Sequence, residues 1–219
     1  MTEPADHGDS PARVPAVVLS RRCHGSLDAI TDSERRGLRP IGTTAREVAA
    51  RTGTLLADLF ALPGVRIFQG VRPSATDLPR IPHVVSAGRT LVLVESVAWP
   101  PGHYAATAVG RIHCNGVYIG QSVRPLITAV RLLWEALPPG HRVSAVVVVY
   151  PTTGGELALP APSRPDLGWT RAGDALHDIK AHLPRGPQPV SVSAVAALVA
   201  ATAEDGHCRG GTAPGAGLE

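Results

Sequence analysis

The segment that most restricts the fold is an almost uninterrupted apolar run, RVSAVVVVY, at residues 142–150. A strand with one face in solvent alternates apolar and polar residues, whereas this run has no polar face to offer. Such a strand is typical of the interior of a sheet that helices cover on both sides. The run therefore predicts an α/β or α+β fold, with a central mixed β-sheet flanked by helices.

The segments around this run supply the other predicted elements. Within residues 81–99, two apolar segments joined by an SAGRT turn predict a β-hairpin. Asn115-Gly116 predicts a second hairpin. Residues 121–140 carry an apolar stripe at helical spacing, with Pro125 in the first turn, where its missing N–H is tolerated. The remaining predictions are helices at 43–64, 172–183 and 191–204, a strand at 65–71 and an edge strand at 155–160.

The chain is long enough for one domain with a substantial core and two tails. Its 219 residues are 44% hydrophobic and 18% charged, which is typical of a globular protein. Residues 1–40 are rich in Pro, Gly, Asp and Arg without sustained periodicity and predict a flexible leader. We expect the core domain at 41–185, a C-terminal helix at 186–204 and a disordered tail at 205–219.

Nothing in the sequence predicts membrane insertion or export. No apolar run approaches the ~18 residues of a spanning helix, and the acidic N-terminal segment does not resemble a secretion signal. Three widely spaced cysteines, Cys23, Cys114 and Cys208, indicate reduced thiols rather than a disulfide framework. Each adjoins a histidine, but without a Cys-x-x-Cys pair this spacing does not predict a zinc site. We therefore expect a cytoplasmic protein with no membrane partner.

The charge of the chain is compatible with nucleic acid but does not require it. The formal net charge is +3 and the pI is about 9.1. The arginines are scattered without a dense basic run, so no stripe of phosphate contacts is visible in the sequence. The only lysine, Lys180, lies in a late predicted helix.

The main candidate for chemistry is the stretch LVLVESVAWPPGHY at residues 91–104. Its apolar strand carries a single carboxylate, Glu95, and ends in a turn bracketed by Trp99 and Tyr104. Residues two apart in a strand share a face, so Val97 should lie beside Glu95.

The order of elements and motifs resembles the nuclease-related domain family, a branch of the PD-(D/E)xK restriction-endonuclease-like fold, over roughly residues 43–160. The resemblance rests on a first helix with an acid, Glu47, and on IPHVV at 81–85, where the family tends to have I-D-H-V-V. It also rests on the strand with Glu95 before a Trp-Pro-rich turn, and on a following helix that opens with Gln121. The W-P-P-G-x-Y turn is similar to that of the actinobacterial members in particular.

The resemblance implies metal-dependent phosphodiester hydrolysis, in which an Asp and a Glu hold Mg²⁺ or Mn²⁺ and a lysine assists. In this sequence Pro82 stands at the Asp position and Val97 at the lysine position, so only Glu95 remains. Loss of one preorganised charge-stabilising group typically costs ~10²–10³ in rate. The resemblance therefore implies a catalytically degenerate site, which would need a metal only if it were active.

The single residues each have a structural and a functional interpretation. Glu95 is either a retained ligand or a carboxylate kept for structure. Glu47 is either the helix acid of the family or one half of a capping box with Thr44. Gln121 either contacts a phosphate or ends the preceding loop. The residues that could replace the missing groups are His83, His103, Arg111 and Lys180.

Other residues are candidates for binding. Trp99 and Tyr104 could stack on a base or could be packing anchors. Arg131 four residues before Glu135 is typical of a surface ion pair. The full set of candidate binding residues is Trp99, His103, Tyr104, Arg111 and Arg124.

We therefore expect a catalytically degenerate nuclease-related-domain protein that acts as a nucleic-acid-binding or protein-scaffolding module. The alternative is a divalent-metal-dependent nuclease with a rearranged active site around Glu95. Nucleic-acid binding predicts a basic surface near Glu95, and a protein partner predicts an exposed apolar patch near 191–204. Nuclease activity predicts a second acid and a base beside Glu95.

Overall fold

A computed structural model of the chain describes residues 21–203, except for 33–36, 74–77 and 163. In these residues a 3₁₀ helix (Ala57–Ala61) follows the first of the α-helices. The strands are β1 (Cys23–Gly25), β2 (Val65–Val71), β3 (Ile81–Ala87), β4 (Thr90–Trp99), β5 (Gly102–Ala106), β6 (Arg111–Cys114), β7 (Val117–Ser122), β8 (Arg142–Pro151), β9 (Leu157–Ala158) and β10 (Leu167–Arg171). The α-helices are α1 (Ala45–Leu56), α2 (Arg124–Ala136), α3 (Ala175–His182) and α4 (Val192–Ala203).

The larger of two sheets has six strands in the order β1-β2-β3-β4-β8-β10. β2, β3 and β4 form an antiparallel meander, whereas β1 pairs with β2, and β8 with β4 and β10, in parallel. Val48 of α1 and Ile179 of α3 are buried on one face, which we call the α1 face. Leu133 of α2 and Leu198 of α4 are buried on the other, the α2 face. The predicted α/β fold with a mixed sheet flanked by helices is confirmed, and its restriction-endonuclease-like topology stays a prediction.

β4 and β8 lie side by side at the centre of this sheet. They are in register from Thr90 opposite Arg142 to Trp99 opposite Pro151. All β8 side chains at 145–150 are buried, and they alternate between the cores of the two faces. The prediction of a strand buried on both faces is therefore confirmed.

Helix α1 begins with the capping box that its sequence predicts. The Thr44 hydroxyl accepts a hydrogen bond from the Glu47 N–H at 3.2 Å, and the Glu47 carboxylate accepts one from the Thr44 N–H at 2.9 Å. The Thr43 hydroxyl donates to the same carboxylate at 2.6 Å. These hydrogen bonds, the one from Thr43 foremost, lower the pKa of the exposed Glu47 carboxyl.

The smaller sheet has four strands in the order β7-β6-β5-β9 and follows the C-terminal end of β4. The predicted hairpin joins β6 to β7 through Asn115 and Gly116, whose φ angles of 49° and 81° suit a two-residue turn. The predicted edge strand is β9, which pairs in parallel with β5. The pairing of β6 with β7 shifts register between Ile112 and His113.

Three predictions differ from the structure. Residues 23–25, inside the predicted leader, pair with β2, and Leu38 of the same segment is buried. A three-residue strand is too short to carry a periodic pattern, so the sequence did not reveal it. Gln121 lies in β7 and not at the start of a helix, because α2 begins three residues later. The sequence pattern also predicted no element at β10. Residues 1–20 and 205–219 lie outside the described part of the chain.

Leu93 provides a test of the burial of β4. Its side chain is fully buried on the α2 face, so Leu93→Ala leaves a cavity in the core. We expect urea denaturation to show a free energy of unfolding lower by about 2–5 kcal/mol, with an unchanged slope. The control is Trp134→Ala on α2, where the side chain is 58% exposed and the expected change stays within about 0.5 kcal/mol. Equal losses in both variants would contradict the central position of β4.

Candidate functional site

Glu95 lies in the middle of β4 and points to the α2 face, because its neighbour Ser96 bonds to Thr52 of α1 on the other face. Only 7% of Glu95 is exposed. It lines a cavity of about 10 Å³, which has room for about one water molecule. Its Oε1 accepts a hydrogen bond from the Ser96 N–H at 2.9 Å. The carboxylate is thus held within the core and is not presented to a large ligand.

The two positions that depart from the family pattern are apolar and buried. Val97 is fully buried on the same face as Glu95, and Pro82 is buried in the neighbouring strand β3. His83 is fully buried on the α1 face, where its Nε2 lies 3.1 Å from the place that a Cβ on Gly53 of α1 would take. A histidine on that face cannot reach Glu95 through the sheet.

The helix acid Glu47 and the proposed substitute Lys180 also lie away from Glu95. Glu47 caps α1 and Lys180 is exposed on α3, and both helices cover the α1 face. Cys23 and Cys114 are free thiols in different sheets, and Cys208 lies outside the described residues. Within the described ranges, no three His, Cys, Asp or Glu residues are grouped so as to hold a metal ion. None of the candidates that lie in the described residues meets Glu95.

Trp99, Tyr104 and Gln121 form a buried cluster where β4 passes into the smaller sheet. The rings of Trp99 and Tyr104 stack, with centroids 4.4 Å apart and planes inclined by 10°. The Trp99 indole N–H donates to Gln121 Oε1 at 3.2 Å, and the Tyr104 hydroxyl donates to the Pro100 carbonyl at 2.9 Å. Burial raises the pKa of the Tyr104 hydroxyl, and the neighbouring Cys114 adds to this effect. These rings are packed inside the protein and offer no free face for a base.

The outer face of the smaller sheet carries an exposed aromatic ring with basic neighbours. Tyr118 of β7 is 48% exposed, and His113 lies opposite it in β6 with the ring centroids 5.8 Å apart. The Arg111 guanidinium lies 5.8 Å from the centroid of the Tyr118 ring. We call Arg111, His113 and Tyr118 the Tyr118 surface. His103 is exposed on the adjacent strand β5, two residues from Ala105, which pairs with His113.

The charge around the Tyr118 surface is positive. The Cγ of Arg124 lies 3.1 Å from the place that a Cβ on Gly110 would take, which puts Arg124 next to Arg111 in space. The sequence has no Asp or Glu between Glu95 and Glu135. In the described part of the chain, neither arginine forms an ion pair with a carboxylate. Both charges therefore remain available to an anionic partner.

The sequence contained part of the signal for this surface. Arg111 and His113 alternate with the buried Ile112, which is the pattern of a half-exposed strand. Tyr118 was missed, although the two-residue turn at Asn115-Gly116 sets Tyr118 opposite His113. The register shift lies beyond that pair, and it places Ser122 instead of Gly120 opposite Arg111.

Fold and site together define an α/β protein with an enclosed carboxylate in its central strand and an exposed basic and aromatic surface on its smaller sheet. No known protein family, curated protein or solved structure matches the chain. Membership of the nuclease-related domain family therefore stays a prediction. None of the helices described here has the length and apolar character needed to cross a membrane.

Gln121 provides a test of the buried cluster. Its Oε1 accepts hydrogen bonds from the Trp99 indole N–H and from the Arg39 backbone N–H at 3.1 Å. Gln121→Ala leaves both donors without this acceptor, so we expect the free energy of unfolding to fall by about 1–3 kcal/mol. The near-UV circular dichroism of Trp99 should change as well. The control is Gln188→Ala at a half-exposed position, and equal effects in the two variants would contradict the role of Gln121.

Proposed function

We propose that this protein is a nucleic-acid-binding module with a nuclease-related fold, and that the Tyr118 surface binds single-stranded nucleic acid. The observation that carries the proposal is the exposed Tyr118 ring with the Arg111 guanidinium and the His113 imidazole beside it. Such a ring offers a face to an unpaired base, and stacking of this kind is worth ~1–3 kcal/mol per base. An arginine next to the ring is placed to contact the adjacent phosphate.

The surroundings of this surface support an anionic polymer as the partner. Arg124 adds a second guanidinium, and as the first residue of α2 it stands at the positive end of the helix dipole. Ser122 and Pro125, which lie on either side of Arg124 in the sequence, line the cavity of Glu95. Arg124 therefore lies near the cavity of Glu95, which supports the proposal of nucleic-acid binding.

We further propose that Glu95 does not catalyse phosphodiester hydrolysis. Mg²⁺ in proteins prefers about six oxygen ligands, several of them water, and a cavity with room for one water molecule cannot hold that shell. The apolar side chains of Val97 and Pro82 supply neither a ligand nor a proton donor. These features support a structural role for Glu95 in the core.

A protein-scaffolding role has less support. It predicted an exposed apolar patch near 191–204, where Val192 is exposed, but Ala194, Val195 and Leu198 of α4 are buried against the sheet. We place the proposed module in the cytoplasm, since that compartment holds nucleic acid and keeps free thiols such as Cys23 reduced.

The binding proposal is tested by fluorescence anisotropy with labelled single-stranded DNA and RNA at low and moderate salt. Tyr118→Ala should weaken binding roughly 5- to 150-fold, which corresponds to ~1–3 kcal/mol per stacked base. Arg111→Gln should reduce the salt dependence by about one phosphate contact. The matched controls are Trp134→Ala, a second exposed aromatic residue, and Arg131→Gln. Full affinity in Tyr118→Ala, or no binding by the wild type, would refute the proposal and direct attention to protein partners.

The proposal for Glu95 is tested by incubating labelled single- and double-stranded DNA and RNA with Mg²⁺ or Mn²⁺. We expect no cleavage by the wild type above the level of Glu95→Gln, which preserves the volume of the buried side chain. Glu95→Ala serves as a second comparison, because replacement of a buried residue can also affect folding. Metal-dependent cleavage that both substitutions abolish would establish the nuclease alternative.

A further inference from the structure

A second basic site lies at the opposite end of β4, outside the Tyr118 surface. The β3–β4 turn, the loop before β8, the end of α3 and residues 183–189 line an open cavity of about 500 Å³. This volume falls within the ~300–1,000 Å³ of typical small-molecule sites. β4 spans about 30 Å at ~3.3 Å per residue, so the cavity and the smaller sheet lie at distant ends of the molecule.

Two arginines meet at this cavity because the backbone holds their residues together. The Arg142 N–H donates to the Arg89 carbonyl at 2.9 Å, and Thr90 pairs with Arg142 in the sheet. The Arg89 guanidinium extends along the cavity wall, with Nη1 3.1 Å from the place that a Cβ on Gly140 would take. Glycine at position 140 therefore leaves the space that the guanidinium occupies.

Among the residues that the structure describes, no carboxylate balances these charges. None of the residues lining the cavity is Asp or Glu, and in the part of the chain that the structure describes neither Arg89 nor Arg142 forms an ion pair. Both side chains line the same cavity, so an anion bound there would be attracted by two positive charges. The planar guanidinium matches the oxygen atoms of phosphate and carboxylate groups, often with two parallel hydrogen bonds.

The end of α3 and the segment that contains Gln188 form the remaining walls of the cavity. The half-buried His182 at the end of α3 has its Nδ1 3.3 Å from the Ser144 hydroxyl on β8 and its Nε2 3.6 Å from the place that a Cβ on Gly168 of β10 would take, so its ring lies against the sheet. Gln188 packs against the β3–β4 turn, where its Cβ lies 2.8 Å from the place that a Cβ on Gly88 would take. The segment that contains Gln188 thus forms one side of the cavity.

We propose that this cavity binds a small-molecule oxyanion, a phosphate ester or a carboxylate, through Arg89 and Arg142. The site is independent of nucleic-acid binding on the smaller sheet. It accommodates a ligand larger than a free phosphate ion, since its volume exceeds that of one anion several-fold.

The proposal is tested by isothermal titration calorimetry of the full chain in chloride buffer with adenosine monophosphate, inorganic phosphate and citrate as probes. Adenosine serves as the uncharged comparison. We expect saturable one-to-one binding of at least one anion and no binding of adenosine. Arg89→Gln and Arg142→Gln should each weaken that binding about tenfold or more, the loss expected for one hydrogen bond to a charged group. Arg131→Gln on α2 is the control with the same change in charge.

Each outcome of this experiment decides the question. Preference for adenosine monophosphate over citrate identifies a phosphate ester as the ligand class, and the reverse preference identifies a carboxylate. Binding of no anion, or binding that neither arginine substitution weakens, overturns the proposal. Loss of oligonucleotide binding in Arg142→Gln without any binding of small anions would also overturn it, because the cavity would then belong to the nucleic-acid surface. Both arginines are exposed, so the substitutions should leave the core intact. Circular dichroism of each variant is the check that it folds.

Discussion

The parallel pairing of β4 with β8 is the interaction on which the rest of the fold depends. The two strands pair in register along their whole length, from Thr90 and Arg142 to Trp99 and Pro151. Because both strands bury apolar side chains on both faces, neither can lie at an edge or face solvent. Further strands must therefore flank the pair, and helices must cover both faces of the sheet. Helices α1 and α3 cover one face, and α2 and α4 cover the other.

The sheet also separates two groups of buried polar side chains. On the α1 face, the Thr52 hydroxyl lies 2.7 Å from the Ser96 hydroxyl and 3.0 Å from that of Tyr150, so the three groups satisfy one another. The Arg51 guanidinium lies 4.2 Å from the centroid of the Tyr150 ring. Glu95, one residue before Ser96, stands on the α2 face. Alternation along a single strand thus keeps the carboxylate apart from every polar group beneath α1.

The two proposed binding surfaces lie at opposite ends of the central strand. The turn before β4 carries Arg89, and the smaller sheet after it carries Arg111 and Tyr118. At these ends the side chains leave the core, so the chain can place charges there without the desolvation cost of burial. In both places an arginine lies on a short turn or strand beside a rigid sheet, which positions the guanidinium without burying it.

The sequence by itself determined the features that depend on local patterns. The apolar run at 142–150 predicted a sheet covered on both faces, Thr44 predicted the start of a helix, and Asn115-Gly116 predicted a hairpin. Each of these signals comes from residues that are neighbours in the sequence. The site was predictable only in part. The sequence supplied Arg111 as a candidate, and its Asn115-Gly116 turn pairs His113 with Tyr118, but the place of Arg111 opposite Ser122 follows from a shift of register between the two strands. Only the tertiary structure decided which face of the sheet Glu95 occupies and which groups lie on the other, because strand pairing joins residues that are distant in sequence and local patterns do not encode it.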